Sequence, residues 1–332
     1  MLHAYLRGTH YEMGLQWGRS LAREGHFILE NTPLAPSKER LAYAGACLPV
    51  YQKYFPAVLE EMRGLAGGQG CAFEQIAAVL LSMYALPPAH ACSCFAVKTP
   101  RGALLGRNSD FYTAMEGRNL NAIYVPADGG YAFTGNTTAF IEMEDGVNAR
   151  GLAVGLTSVP ARAIAPGMNA GLLLRCILET CASVDEAIGF LKSVPIGSAQ
   201  TLTLADAAGE IAVVECDARG LAAVRPEAGQ SWVCATNMFC RLPSAPPPDG
   251  DDWFARRRYE TLERALGAGA PTDAAGAQEL LAGKRGFLCQ YNRAEGRDTV
   301  WSAIYDLGRG GIFRAEGNPA RVPFRRDLRF AL

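Results

Sequence analysis

The sequence predicts an α+β protein of stacked layers rather than a doubly wound parallel sheet. Three observations predict it. The first ninety residues carry apolar positions mostly at helical spacing. After Pro88, short apolar runs of strand character take over, divided by turn residues. Helices then return in pairs between blocks of strands, not singly after each strand. With 332 residues, 49% of them hydrophobic, the chain can bury a large core in one domain or two.

The elements follow in order. Helical spacing runs over 11–30, and again through Val58, Leu59, Met62 and Leu65 to a stop at Gly67-Gly68. A further helix over 73–86 is closed by Pro87-Pro88. The glycine-rich run 64–70 lacks the GK[ST] ending of a phosphate loop and reads as a helix-to-helix turn. Strands are expected at 94–97, 103–106, 122–125, 139–143 and 152–156. Helices follow at 172–180 and 184–193, the second opened by the capping box Ser183-Val184-Asp185-Glu186. Strands resume at 201–205 and 211–215, joined by Asp206-Ala207-Ala208-Gly209, then at 232–236. Pro246-Pro247-Pro248 marks a loop. Helices at 253–266 and 274–281 and strands at 299–305 and 311–314 complete the chain. No internal repeat or low-complexity tract interrupts it.

Composition excludes several functions. The net charge is −1 and the isoelectric point about 6.5, with no basic surplus for nucleic acid or an anionic membrane. Arg256-Arg257-Arg258 and the tail residues Arg321, Arg325, Arg326 and Arg329 are local clusters that read as solvated surface. No charged n-region with an apolar h-region opens the chain, and no uncharged apolar stretch approaches a membrane span. A cytoplasmic protein is expected. The ten cysteines are irregularly spaced with no CxxC, and Cys176, Cys216 and Cys234 sit in apolar runs as small core residues. With no histidine beyond His90, a mixed-ligand zinc site is disfavoured. No cofactor is expected.

The chemistry points to Cys92. It precedes Ser93 and, further on, Gly106-Arg107-Asn108-Ser109-Asp110. His3, His10, His26 and His90 all lie before it. A cysteine enzyme that borrows an imidazole base usually draws it from a distant part of the chain. His90, two residues away, has poor geometry for that role, which disfavours a papain-like protease. The cheapest base is the α-amino group of Cys92 itself, freed by cutting the Ala91–Cys92 bond.

Thr99-Pro100-Arg101-Gly102 is a turn between two apolar runs. A hairpin centred there pairs residues whose numbers sum to about 201, setting Cys92 across from Ser109 with Arg107 and Asp110 close by. Alternation lets only some of these face Cys92. A nearby guanidinium lowers a thiol pKa. An α-amine with a pKa of about 7.7–8.0 suits a base at neutral pH, and Asp110 can orient it. Taken alone, Cys92 reads as readily as an inert buried thiol, and Arg107 with Asp110 as an ordinary ion pair. Cys94 shares the face of Cys92 and is its rival, but the register favours Cys92.

Several ordered segments carry a wider resemblance. They are Leu6-Arg7-Gly8-Thr9-His10-Tyr11-Glu12-Met13-Gly14, Glu60-Glu61-Met62-Arg63-Gly64-Leu65-Ala66, and Cys92-Ser93-Cys94-Phe95-Ala96-Val97. They continue with Gly106-Arg107-Asn108-Ser109-Asp110-Phe111, Asp145-Gly146-Val147-Asn148-Ala149-Arg150-Gly151-Leu152-Ala153, and the run from Leu204 through Asp206 and Gly209 to Glu215. In order and spacing the chain resembles the cysteine N-terminal-nucleophile hydrolases of the penicillin acyltransferase type (peptidase family C45), relatives of bile-salt hydrolases and penicillin V acylases.

The resemblance implies a four-layer αββα sandwich. It implies a mainly helical propeptide, residues 1–91, cut from a catalytic domain, residues 92–332. Cys92 would be the nucleophile, with Arg107 and Asp110 in support. Asn237, in Ala235-Thr236-Asn237-Met238-Phe239, aligns with the asparagine that completes the oxyanion hole, and Arg258 falls near the later arginine of the family. Thr157 stands where bile-salt hydrolases usually carry asparagine; its hydroxyl can donate there, and a backbone N–H is the alternative. The implied activity is hydrolysis or transfer of an acyl group at a linear amide C–N bond of a small molecule, with water or an amine as acceptor. The propeptide staying bound after cutting, and a homo-oligomer, are both compatible with it. The competing reading is an unprocessed, non-catalytic binding protein of the same fold.

Overall fold

The structure is a computed structural model that describes all residues except 33, 87–90 and 248–249. The expected helix stop at Pro87-Pro88, His90, and Pro248 of the proline loop lie outside the described residues.

Among the described residues, two sheets form. The first holds eight strands in the order β1 (Leu2–Gly8), β4 (Leu120–Pro126), β5 (Phe133–Thr137), β6 (Asp145–Asn148), β7 (Leu152–Ser158), β8 (Gln200–Asp206), β9 (Ile211–Asp217) and β10 (Gly220–Val224). The second holds six, in the order β11 (Trp232–Ala235), β2 (Ala91–Thr99), β3 (Gly102–Tyr112), β12 (Arg297–Asp306), β13 (Gly311–Ala315) and β14 (Arg325–Arg326). Pairing is antiparallel except for β1 with β4.

Side-chain alternation sorts the apolar residues into three cores and stacks the layers. Ala153, Ala205 and Val213 of the first sheet meet Cys94, Ala96, Leu105 and Ala303 of the second. Leu152, Val154, Leu156 and Leu204 face the other way, onto α6 (Ala170–Thr180) and α7 (Val184–Ser193). Phe95, Val97, Leu104 and Ile304 pack outward on α8 (Ala255–Gly269) and α9 (Ala274–Leu281). The result is the αββα sandwich that the family resemblance implied. Expected helices 184–193 and 274–281 match α7 and α9 in full. Ser183 caps α7 by accepting from the Glu186 N–H.

The first ninety residues differ from expectation in several ways. They begin with a strand, β1, which joins the first sheet as its edge. The helix expected over 11–30 divides into α1 (His10–Arg23) and α2 (Ile28–Asn31), because Gly25 adopts a left-handed φ of 75°. The helix α3 (Lys38–Tyr54) went unrecognised, since Pro49 interrupts its pattern.

The glycine run is not a turn. The helix α4 (Pro56–Gln69) passes through it and stops at Gly70, at φ 69°. Its glycines let α1 and α4 approach backbone to backbone. A Cβ on Gly14 would lie 2.0 Å from Glu61 O, and one on Gly64 would lie 2.0 Å from Tyr11 O. No side chain fits at those spacings, so glycine is required by contact rather than by bending.

A buried charge network ties this segment to the rest. His10 is bonded through Nδ1 to Asp128 at 2.7 Å and through Nε2 to Glu179 at 2.8 Å. Arg175 of α6 grips Glu61 of α4 through both terminal nitrogens and donates from Nε to Glu179 at 2.9 Å. Helix α5 (Phe73–Ser82) packs into the same apolar core as α6. Residues 139–143, expected as a strand, form a turn in which the Glu142 N–H returns to Ala139 O and Phe140 takes a φ of 61°. All ten cysteines are free. Among the described residues no helix is long and apolar enough to cross a membrane.

Candidate active site

The β2–β3 hairpin has the expected register. Cys92 pairs with Ser109, Cys94 with Arg107 and Ala91 with Asp110, each summing to 201. Paired residues share a face. Cys92, Cys94, Arg107 and Ser109 therefore face the first sheet, while Ala91, Ser93 and Asp110 face the helices α8 and α9.

Between the sheets, Arg107 Nη2 donates to Cys92 Sγ at 2.8 Å. The same guanidinium donates from Nε to Leu156 O at 2.9 Å, from Nη1 to Asp145 Oδ2 at 2.8 Å and from Nη2 to Glu144 Oε2 at 3.3 Å. Trp301 Nε1 and Tyr305 Oη also donate to Asp145, at 2.9 and 2.6 Å. Every member of this set is buried. Arg107 is thus held by the first sheet while it touches the thiol on the second. The ion pairs of Arg107 are to Glu144 and Asp145, not to Asp110.

On the other face, Arg258 does the equivalent work for the backbone. Its Nη1 donates to Cys92 O and, at 3.0 Å, to Ser93 Oγ, while Nη2 donates to Asn237 Oδ1 at 2.9 Å. The Cys92 N–H donates to the same Asn237 Oδ1 at 2.8 Å. Of the three consecutive arginines, Arg256 and Arg257 are exposed and Arg258 is buried, because helical rotation on α8 turns only the last inward. Asp110 lies 3.7 Å from Arg258 Nη1 and accepts from Tyr291 Oη at 2.9 Å and Thr299 Oγ1 at 2.6 Å. It steadies Arg258 and does not reach the sulfur side of the strand.

Thr157 Oγ1 donates to Thr236 O at 2.8 Å and sits 2.6 Å from Thr201 Oγ1. With its one proton on Thr236, Thr157 braces the strand end that carries Asn237. Asn237 Nδ2 donates to Ser158 O at 2.8 Å. The loop beyond is pinned by Glu215, whose carboxylate accepts from the backbone N–H groups of Cys240, Arg241 and Leu242 at 2.6, 2.8 and 2.8 Å. Glu215→Ala leaves those donors without their anion. The expected loss is about 2–3 kcal/mol of stability, checked by urea denaturation.

Burial pushes the Cys92 thiol up to about 12, against the pull of Arg107. In the continuous chain the sulfur is a protonated thiol. Cys94 is also pushed to about 12 by burial, and its sulfur packs 2.5 Å from where a Cβ on Gly155 would lie. That makes Cys94 a core residue. Ala91 packs with Trp253 and Tyr291. Trp253 and Phe254 beside it adopt left-handed φ of 49° and 59°, a conformation that costs bulky residues about 1–3 kcal/mol each.

Burial pushes the Asp110 carboxyl from 3.8 up to about 6, against Arg258 and the two hydroxyl donors. Between these values the folded chain holds a proton that the unfolded chain has lost. Stability therefore falls as pH rises from about 4 to about 6, by about 3 kcal/mol. Asp110→Asn in an uncut Cys92→Ala background is expected to remove that slope, read from denaturation midpoints at the two pH values.

All six sequence-derived candidates gather at this hairpin. Sequence reasoning missed Glu144, Tyr291, Thr299 and the part played by Asp145. The available signal was three acidic residues, Glu142, Glu144 and Asp145, inside an apolar run, since buried carboxylates demand a partner.

Two stacked sheets with a guanidinium-bound cysteine at the start of an inner strand define a sandwich of the N-terminal-nucleophile type. A model of the family described as acyl-coenzyme A:6-aminopenicillanic acid acyl-transferase matches residues 97–321, and the chain belongs to that family. The match begins just after Cys92 and includes Arg107, Asp110, Thr157, Asn237 and Arg258. The 40 kDa form of acyl-coenzyme A:6-aminopenicillanic-acid-acyltransferase from Emericella nidulans is 29% identical over 194 residues, 54% of this chain and 54% of that protein. The chain thus matches about half the length of that curated relative. Among solved structures, a Caenorhabditis elegans N-acylethanolamine-hydrolyzing acid amidase ortholog aligns with a TM-score of 0.49 and 16% identity, over 65% of this chain and 93% of that one. Penicillin V acylase from Agrobacterium tumefaciens aligns with a TM-score of 0.45 and 17% identity, over 68% and 83%.

Proposed function

We propose that the chain cuts itself between Ala91 and Cys92, and that the released Cys92 is the nucleophile of an amidohydrolase or acyltransferase acting on linear C–N amides. One observation carries this reading: a single residue has its sulfur on Arg107, its N–H on Asn237 and its carbonyl on Arg258. A structural cysteine needs none of these.

In the scission, Cys92 Sγ adds to the Ala91 carbonyl carbon. The thiol proton passes to the Cys92 nitrogen, and the C–N bond breaks to leave a thioester and a free amine. Water then gives its hydroxyl to Ala91 as a carboxyl and its hydrogen to the sulfur. Residues 1–91 and 92–332 become separate chains.

In turnover, the new amine takes the thiol proton and the thiolate attacks the substrate carbonyl. The amine returns that proton to the departing nitrogen. Water or an amine then takes the acyl group from sulfur. Arg107 stabilises the thiolate, Asn237 is the side-chain oxyanion donor, and a backbone N–H is the second donor because Thr157 is bonded to Thr236. Arg258 and Asp110 hold the cysteine backbone and Asn237 in place. The helical segment 1–91 acts as a propeptide, and the His10, Glu61 and Arg175 contacts favour its staying bound after scission. Burial of the thiol in the continuous chain means that substrate reaches it only after processing. The test is a time course of intact mass on purified protein, followed by assay of the cut form against N-acyl amino acids and small peptides. Scission and turnover that both persist without the Cys92 sulfur would overturn the assignment.

A further inference from the structure

One buried carboxylate has no part in the chemistry above. Glu142 lies in the turn between β5 and β6, fully buried, and neither of its oxygens reaches a partner in good hydrogen-bond geometry. Glu144 beside it is committed, accepting from Arg107, Ser109 and Thr138. Burial pushes the Glu142 carboxyl well above the ordinary carboxylate range, with Asn169 opposing and Glu144 reinforcing. A buried carboxyl opposed by no cation and only weakly met by Asn169 is costly, and such groups gather where a ligand is to be met.

Beside Glu142 lies Tyr84, from the segment before Cys92. A Cβ on Gly171, at the start of α6, would lie 2.5 Å from Glu142 Oε2 and 3.0 Å from Tyr84 Cε2, so ring and carboxylate share one small space. The charges felt by the Tyr84 phenol are Glu144, Glu142, Arg107 and Cys92. The ring thus lies in the neighbourhood of the acidic pair, Arg107 and the sulfur. It is held there on a left-handed backbone, φ 60°, unfavourable for a bulky residue.

We propose that Glu142 is the specificity residue of the processed site, and that it receives an ammonium group carried on the acyl part of the substrate. The inference rests on the reading of Cys92 as a self-released nucleophile. In the self-scission the acyl group is the segment 1–91, so the space filled by Tyr84 lies on the acyl side of the sulfur. Once the chain is cut, Tyr84 is no longer tethered to Cys92. Its withdrawal opens a space with the thiolate and Arg107 at one end and an unpaired carboxylate at the other. Water or ligand in that space lets Glu142 ionise. A fixed anion there favours a cation and repels a second carboxylate.

The test compares three p-nitroanilides of equal reach on the processed enzyme: 6-aminohexanoyl, hexanoyl and 5-carboxypentanoyl. The ammonium compound is expected to show the highest kcat/KM, by about tenfold or more over the neutral one, with the carboxylate compound lowest. Glu142→Gln is expected to erase the preference, bringing kcat/KM for the ammonium substrate down to that for the neutral one. Binding of free 6-aminohexanoate against hexanoate to processed wild-type protein, by calorimetry, gives the same comparison without a variant. Equal kcat/KM for the ammonium and neutral substrates, or equal losses on both in Glu142→Gln, would overturn the inference alone. A chain that never cuts, seen as a single intact mass, would remove the functional reading and this inference with it.

Discussion

Replacing Cys92 with alanine is expected to leave the 35.5 kDa chain in one piece and to abolish amide turnover. Both losses follow from one atom, since the sulfur is the attacking group in scission and in catalysis. The fold should survive. Cys92 is a small residue in a strand whose ladder is backbone-made, and alanine removes only the sulfur. The cost is a small cavity, about 1–2 kcal/mol, together with a partner for Arg107 Nη2. Cys94→Ala, by contrast, should cut and turn over normally, because Cys94 is packed against Gly155 away from the bonds that hold Cys92. Denaturing gel mobility and anilide hydrolysis of the two variants, side by side, check this. Normal cutting by the Cys92 variant would transfer the role elsewhere.

Arg107 should give the second large effect, and it should divide by substitution. Arg107→Ala leaves Glu144 and Asp145 buried without their cation, and breaking a buried pair of this kind costs about 3–5 kcal/mol. Much of that chain is expected to aggregate. Arg107→Lys keeps the charge but cannot present a planar fork to Leu156 O, Asp145, Glu144 and the sulfur at once. It should fold and yet cut at least about a hundredfold more slowly, since the attacking sulfur loses the charge-assisted donor that stabilises negative charge on it as its proton leaves. Circular dichroism separates folding from chemistry, and the rate of appearance of the cut chain measures the second. A lysine variant that cuts at the wild-type rate would mean that charge alone suffices.

These residues differ in how openly the sequence displays them. The hairpin was legible because Thr99-Pro100-Arg101-Gly102 fixes its centre and every pairing then follows by counting. The same counting held a further consequence: odd and even positions part, so Arg107 joins Cys92 while Asp110 goes to the opposite face. Helix α7 was legible from its capping box, and α9 was expected at its observed bounds. The strand β1 was not, because its pairing with β4 depends on contacts more than a hundred residues away. The glycines of α4 misled because glycine signals both a turn and a close helix crossing, and only the partner helix decides between them. Residues 139–143 form a short apolar run of strand character, but the chain there must turn to set Glu144 and Asp145 beside Arg107. Asn237 and Arg258 came into view only through family resemblance, since no local pattern links positions 92, 237 and 258, and their hold on the Cys92 backbone was seen only in the structure.

The most direct test of the central claim is the intact mass of purified, full-length protein under denaturing conditions, with amino-terminal sequencing of what it contains. Self-scission predicts two chains whose masses sum to the uncut chain plus one water, the larger beginning Cys-Ser-Cys-Phe. A single mass at the full length of 332 residues, unchanged after long incubation at neutral pH, would contradict it.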